Sequence, residues 1–282
     1  MGHVLEMKNV IKKYDDFVLN DFSLSLPYGS IMGLIGENGA GKTTVIKLIL
    51  NEIRRSSGSI RIFGLDNIKH EQKIKANIGV VFDDCNFHDC LTAQNLSTIM
   101  KSIYPAWDEK RYADLVNQLK LPMCKQVKEF SKGMKTKLTI AISLTHQPEL
   151  LILDEATVGL DPVVRDEILG IFLEYVKLKN RSILFSSHIT SDLEKVADYI
   201  AFMHVGQLIF SKPKEQILSE YSVVKCNLNE MDKIESHDIV AYRKVNNRFN
   251  ILVKNKEKYK NYDHDFPSIE DIMLYYIKGE KK

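Results

Sequence analysis

Short apolar runs broken by glycine or proline dominate the first part of the chain, and stretches with a three-to-four-residue apolar period dominate the middle. Residues 4–10, 17–19 and 22–26 read as short strands, the last with period-two spacing before Pro27 and Gly29, which predicts an antiparallel β start. An apolar run at 31–35 leads through a glycine-rich turn into a helix over 44–50. The pattern then predicts a strand at 59–63, a charged surface helix at 69–76 and a buried strand at 78–82 that ends in Asp83 and Asp84. From 91 to 147 the periodicity is helical, with Thr92 as N-cap for 93–104, Asp108 as N-cap for 109–120, and Pro105 and Pro122 as punctuation. Beyond this helical insertion come a continuous apolar strand at 149–153, a long helix at 163–177 and a buried strand at 182–186. Strands at 199–203 and 207–210 and a short helix at 213–220 follow. Composition shifts at 221, where a hairpin-like pair around Asn246 and Asn247 precedes a charged stretch at 254–265. The last helix is expected after Ser268, with Asp271 three residues on to complete a capping box.

The candidate chemistry begins at the glycine-rich turn. Gly36, Asn38, Gly39, Ala40, Gly41, Lys42, Thr43 and Thr44 run from strand to helix in the phosphate-loop pattern G-x-x-x-x-G-K-[ST]. Glycines let successive backbone N–H groups curl round a phosphate chain, and the following helix turns its positive dipole end to the same anion. In that pattern Lys42 reaches the β and γ phosphates and the Thr43 hydroxyl ligates Mg²⁺. The apolar strand at 149–153 ends in Asp154 and Glu155, and carboxylates at the carboxyl end of such a strand border the ligand crevice of doubly wound folds. Asp154 is therefore expected to hold Mg²⁺ and Glu155 to orient or deprotonate the attacking water. His188 follows the strand at 182–186, where an imidazole can hydrogen-bond a γ phosphate, although a lone histidine more often has a structural part. Ser131 is placed to cap a helix whose first turn contains Gly133, leaving N–H groups for an anion or making an ordinary cap. Tyr14, in the first turn, offers an aromatic face for a base or for packing. The expected fold is α/β, a phosphate-loop NTPase core with a mixed sheet, an antiparallel β subdomain and a helical insertion at about 85–147. That domain is expected over 1–220, with 221–282 a small C-terminal α+β extension lacking a catalytic constellation.

Composition narrows the partners. With 282 residues of which 44% are hydrophobic, the chain supports a sizeable core, and 39 basic against 37 acidic residues give a formal charge of only +2. Such a balance supplies no global field towards nucleic acid, so none is expected as partner. No apolar run approaches the ~18–20 residues that span a bilayer, and Met1 to Glu6 lack a signal-peptide core. The expected place is the cytoplasm, with any membrane role exercised through a partner. Cys85, Cys90, Cys124 and Cys226 are irregularly spaced and are read as reduced. Cys85, His88 and Cys90 form a Cys-x-x-His-x-Cys run, but no fourth ligand follows at a usual zinc spacing.

Taken in order, the phosphate loop, the Ser131 and Gly133 segment, residues 150–155, Gly159-Leu160-Asp161 and Ser187-His188 resemble the ATP-binding subunit of an ABC transporter, over about residues 4–215. The resemblance implies two copies, or a related second cassette, facing each other, with ATP held between one phosphate loop and the other subunit's Ser131 and Gly133. It further implies that Tyr14 stacks on adenine with Val18 beside it, and that Glu155 polarises water. Asp161 would communicate across the dimer and His188 would sense the γ phosphate. The partner implied is a polytopic membrane subunit, docked on residues 85–104, which places the chain peripherally on the cytoplasmic face of the membrane.

There are three departures from the family pattern. The usual Leu-Ser-Gly-Gly-Gln reads Phe130-Ser131-Lys132-Gly133-Met134, Asp83 stands for a glutamine that senses Mg²⁺ and water, and Ala156 replaces a proline. Val81 to Asp83, Tyr104 to Asp108 and Ser268 to Met273 are similar to a bacterial branch linked to export of, or defence against, antimicrobial or toxic amphipathic peptides. Other readings are a soluble ABC-type ATPase acting on ribosomes or DNA, which usually carries two cassettes or a long coiled-coil insertion, and a transporter for another cargo. A phosphate-loop kinase or GTPase has no need of Ser131 or His188.

Overall fold

The computed structural model describes residues 2–246 and 248–281. Its first sheet is antiparallel, β1 (His3–Lys13) against β2 (Val18–Pro27) on one side and β4 (Ser57–Ile62) with β5 (Leu65–Asp66) on the other. The two short strands expected at 17–19 and 22–26 are one strand. Asn9 (φ 48°) and Asp21 (φ 49°) take left-handed conformations and are tied side chain to side chain at 2.7 Å, which absorbs the breaks in register without ending the pairing.

Between β2 and β4 the chain forms β3 (Ile31–Ile35) and α1 (Lys42–Ile49), and after α2 (Glu71–Lys75) it forms β6 (Ile78–Phe82). The helical insertion holds α3 (Ala93–Ile103), α4 (Glu109–Gln118), a single 3₁₀ turn at Val127–Glu129, and α5 (Lys132–Thr145). It is followed by β7 (Leu150–Asp154), α6 (Pro162–Lys177), β8 (Ser182–Ser186), α7 (Thr190–Val196), β9 (Tyr199–His204), β10 (Gln207–Pro213) and α8 (Lys214–Glu220). The central sheet runs β10-β9-β3-β8-β7-β6, parallel except for β10. Its parallel strands are buried on both faces, as their continuous apolar runs require. Alternation decides which face each residue serves. Ile31, Ile35, Leu151 and Leu153 pack with Ile168, Phe172 and Phe185 towards α6, while Met32, Leu34, Leu150 and Ile152 pack with Val45, Ile46 and the antiparallel sheet. The sequence pattern predicts no helix between the strands at 182–186 and 199–203, whereas the structure places α7 there. Its seven residues are too few for an unambiguous helical period.

The insertion has its own core of Ala93, Leu96, Tyr112, Val116 and Leu138, and the buried Tyr112 hydroxyl donates to the Ala93 carbonyl at 2.8 Å. Thr92 and Asp108 cap α3 and α4 as expected, each accepting from the backbone N–H three residues on.

The last 62 residues hold more strand than the sequence shows, because β11 (Ser222–Cys226) and β14 (His264–Asp265) are short and irregularly patterned. With α9 (Leu228–Met231) between β11 and β12 (Ile239–Val245), and β13 (Arg248–Val253) completing the hairpin, the sheet order is β12-β13-β11-β14. Asn247, at the expected hairpin turn, lies outside the described residues. A 3₁₀ turn at Lys256–Tyr259 precedes β14, and α10 (Ile269–Lys278) starts from the expected capping box of Ser268 and Asp271. This helix does not stand apart: Ile269, Ile272 and Tyr275 join the main core, and the Tyr276 ring packs edge-on against Phe202 and Phe210.

Candidate nucleotide site

A cavity of about 720 Å³ opens at the carboxyl ends of β3 and β7, where the loops leave the central sheet. The loop between β3 and α1 forms its floor. Gly36 is pressed against β9 so closely that a Cβ there would stand 2.6 Å from the Met203 carbonyl oxygen. Gly41 adopts φ 108°, open to glycine and strained for other residues, and a Cβ there would meet the Phe17 ring at 2.7 Å. Gly41 caps α1 without any side-chain acceptor, and the first turn of α1 holds no acidic residue, so no side chain of the helix itself competes with an anion for its N–H groups and dipole.

Lys42 is only 6% exposed, and its Nζ donates to the Gly36 carbonyl at 2.9 Å and lies 3.4 Å from Glu155 Oε1. Glu155 leaves β7 with φ 55°, outside the strand region, while its N–H donates to the Ser186 carbonyl at 3.0 Å. This bend turns the side chain out of the sheet. Its Oε2 accepts from the His188 N–H at 3.3 Å and lies 2.7 Å from His188 Nδ1, so Glu155 is held between an ammonium and an imidazole. Asp154, the last residue of β7, is 7% exposed and accepts from Ser186 Oγ at 2.9 Å, with a second hydrogen bond from Thr43. Burial raises its pKa, the Glu155 charge adds to that, and the bonds from Ser186 and Thr43 with the charge of Lys42 oppose it. A carboxylate costly to ionise beside a hydroxyl is a hard oxygen pair suited to a divalent cation, which would repay the charge.

The opposite wall is aromatic. Tyr14 and Phe17 stand with ring centroids 6.3 Å apart, Tyr14 is 41% exposed, and Lys12 Nζ lies 5.0 Å from the centre of its ring. Asn38, Gly39, Thr43, Thr44 and Asp83 complete the lining with Asp16 and Val158. Val18 is exposed and lies outside the lining, whereas Phe17, expected in a strand at 17–19, precedes β2 and lines the cavity. Its signal was weak, one aromatic beside another in a loop.

Ser131, Gly133 and Asp161 also lie outside this cavity. Ser131 Oγ accepts from the Met134 N–H at 3.3 Å at the start of α5, and Asp161 accepts from Val163 and Val164 at 3.1 and 3.0 Å to cap α6. Gly133 fits against Val164, which a Cβ would approach to 3.3 Å, so the two helix starts are packed side by side. Among the described residues no helix is long and apolar enough to cross a membrane.

The sequence profile of the ABC transporter family matches residues 19–158. The chain is 34% identical over 219 residues to the ABC transporter ATP-binding protein YtrB of Bacillus subtilis, covering 77% of this chain and 75% of that protein. It is 36% identical over 215 residues to the bacitracin transport ATP-binding protein BcrA of Enterococcus faecalis, covering 74% of this chain and 69% of the relative. It is 35% identical over 212 residues to the lantibiotic transport ATP-binding protein SrtF of Streptococcus pyogenes, covering 74% and 90%. A solved structure of an ABC transporter ATP-binding subunit superposes with a TM-score of 0.71 at 26% identity, over 77% of this chain and 92% of that one. CbiO1 of Clostridium perfringens shares the fold with a TM-score of 0.68 at 24% identity, over 78% and 92%. With its phosphate loop, its paired carboxylates and most of its length matched in this way, the chain belongs to the ATP-binding subunits of ABC transporters and is an ATPase.

Proposed function

We propose that this ATPase hydrolyses Mg²⁺·ATP between two ATP-binding subunits and powers a separate polytopic membrane protein that exports amphipathic peptides. The observation that carries the composite site is the separation of Ser131 and Gly133 from the cavity of Lys42 and Glu155. One subunit has the phosphate loop and the carboxylates, and Ser131 and Gly133 at the start of its α5 are not among the residues that line their cavity. A facing subunit supplies the missing helix end, excludes water and so strengthens every charge interaction on the γ phosphate. Peptide cargo follows the names of the bacitracin and lantibiotic transport relatives, and with it a peripheral position on the cytoplasmic face of the membrane.

In this reading the first-turn N–H groups of α1, Lys42 and Thr44 bind the phosphates, Gly36, Gly39, Ala40 and Gly41 keep the loop backbone close, and Asn38 stands at the rim. Tyr14 stacks on the adenine, and Val18 borders it from outside the wall. Thr43 and Asp154 would hold Mg²⁺, with Asp83 in reach of its water shell, and the cation would neutralise charge on the β and γ phosphates. Glu155 takes the proton of the attacking water. The Lys42 and His188 contacts fix its direction, and His188 exchanges between Glu155 and the γ phosphate. Asp161 carries the state of one site to the other. We assign 1–220 to the ATP-binding domain and 221–282 to an extension packed on it.

Hydrolysis measured against concentration of the isolated subunit tests the composite site. The total rate rises more steeply than linearly, so that specific activity increases with concentration, while dimers form, and Ser131→Arg abolishes turnover with ATP affinity kept. A specific rate independent of concentration, unaffected by that substitution, would refute it.

A further inference from the structure

The two departures at Asp83 and Lys132 meet in space. Lys132 Nζ lies 2.8 Å from Asp83 Oδ1, across 49 residues of sequence, joining the end of β6 to the first turn of α5. The ammonium also passes over the turn before α6, since a Cβ on Gly159 would come within 3.0 Å of it. Asp83 lines the nucleotide cavity on one side and, on the other, a smaller cavity of about 290 Å³ that it shares with Asp84, Lys132 and Lys135. Lys135 is engaged elsewhere, 3.6 Å from Asp89.

The charge balance of the cavity gives this pair its meaning. Asp16, Asp83 and Glu155 line it, and the one lysine among its described lining residues, Lys42, is already beside Glu155. A bare carboxylate at Asp83 would repel an incoming polyphosphate, whereas an amide at that position would not. We propose that Lys132 is a positioning residue for nucleotide binding: it neutralises Asp83 until Mg²⁺ competes for that carboxylate, and thereby ties the start of α5 to occupancy of the site. This rests on the ATP site described above. Paired with Lys132, Asp83 adds no net charge to the rim. Turned to the water shell of Mg²⁺, Asp83 releases Lys132 and with it the start of α5, the segment proposed to face the second subunit.

The test is a double-mutant cycle of Lys132→Gln and Asp83→Asn, read by equilibrium titration with a fluorescent, non-hydrolysable ATP analogue. Titrations are run with EDTA and with Mg²⁺, at low and high salt, together with thermal midpoints. Lys132→Gln is expected to weaken metal-free binding about two- to five-fold at low salt, the range of a half-exposed ion pair, and to weaken Mg²⁺-bound binding less. Asp83→Asn in the same chain restores the metal-free affinity, and high salt shrinks the defect. Equal losses with and without Mg²⁺, additive effects in the cycle, or a lowered thermal midpoint with unchanged affinity would each overturn the proposal. The outcome for the underlying site is separate. Lys42→Ala binding as well as the parent chain removes the site itself, whereas loss of binding there with an additive cycle removes only the role of Lys132.

Discussion

Lys42 and Glu155 share one contact but perform different work, and substitution separates them. The lysine offsets phosphate charge in the ground state, so Lys42→Ala is expected to lower ATP affinity roughly 10- to 100-fold, the worth of a charge-assisted bond in a secluded site. Glu155→Gln keeps the shape, retains binding and lowers turnover by about 10²–10⁴, as loss of a general base does. Equal loss of affinity in both variants, measured by nucleotide titration, would remove Glu155 from the chemistry. Asp83→Gln, which replaces a hard anionic ligand by an amide, is expected to change the Mg²⁺ concentration for half-maximal hydrolysis. An unchanged Mg²⁺ dependence puts Asp83 outside the metal's surroundings. At this scale the phosphate loop was legible because backbone geometry demands glycine at Gly36 and Gly41. Phe17 and Lys132 were not legible, since an aromatic or a lysine in a loop or first turn has no spacing that announces its partner.

Elements with strong caps and clean periods were read closely, α3, α4, α5 and α10 among them, because a cap is a local bond between residues three apart. The short strands of the last sheet were not, and Asp238 shows what holds that region. This carboxylate is 1% exposed and accepts from Tyr259 at 2.6 Å, from Lys258 at 2.9 Å and from Asn255. Burial pushes its pKa up, but the bonds from Tyr259, Lys258 and Asn255 outweigh that and hold it at about 2, below its ordinary 3.8. A carboxylate with a lowered folded pKa stabilises the fold above its unfolded value and loses that contribution as pH falls from about 4 towards 2. Asp238→Asn is therefore expected to cost about 1–3 kcal/mol at neutral pH and to flatten the acid limb of stability. Denaturant titrations at neutral pH and near pH 3 check this, and a parallel loss in both proteins at every pH would show that Asp238 carries none of it.

Across the whole molecule, α10 binds the residues after Glu220 into the main core. Ile269, Ile272 and Tyr275 are buried with Phe202, Phe210 and Tyr221, and full burial of each large apolar side chain contributes about 1.5–3 kcal/mol. Ending the chain after Glu220 is expected to lower the thermal midpoint by several degrees and to expose an apolar face that promotes aggregation. An unchanged midpoint, by calorimetry, would mean that the extension contributes nothing to the core. By itself the sequence determined what depends on neighbours along the chain: the phosphate loop, the helix caps, the continuous apolar strands and the carboxylates that end one of them. Tertiary structure alone decided the long-range choices. Sheet order brought Asp154 of β7 beside Ser186 of β8, packing of α10 merged the tail with the core, and folding paired Asp83 with Lys132. Such contacts join residues dozens of positions apart, and their energy depends on burial and distance, which no local pattern encodes.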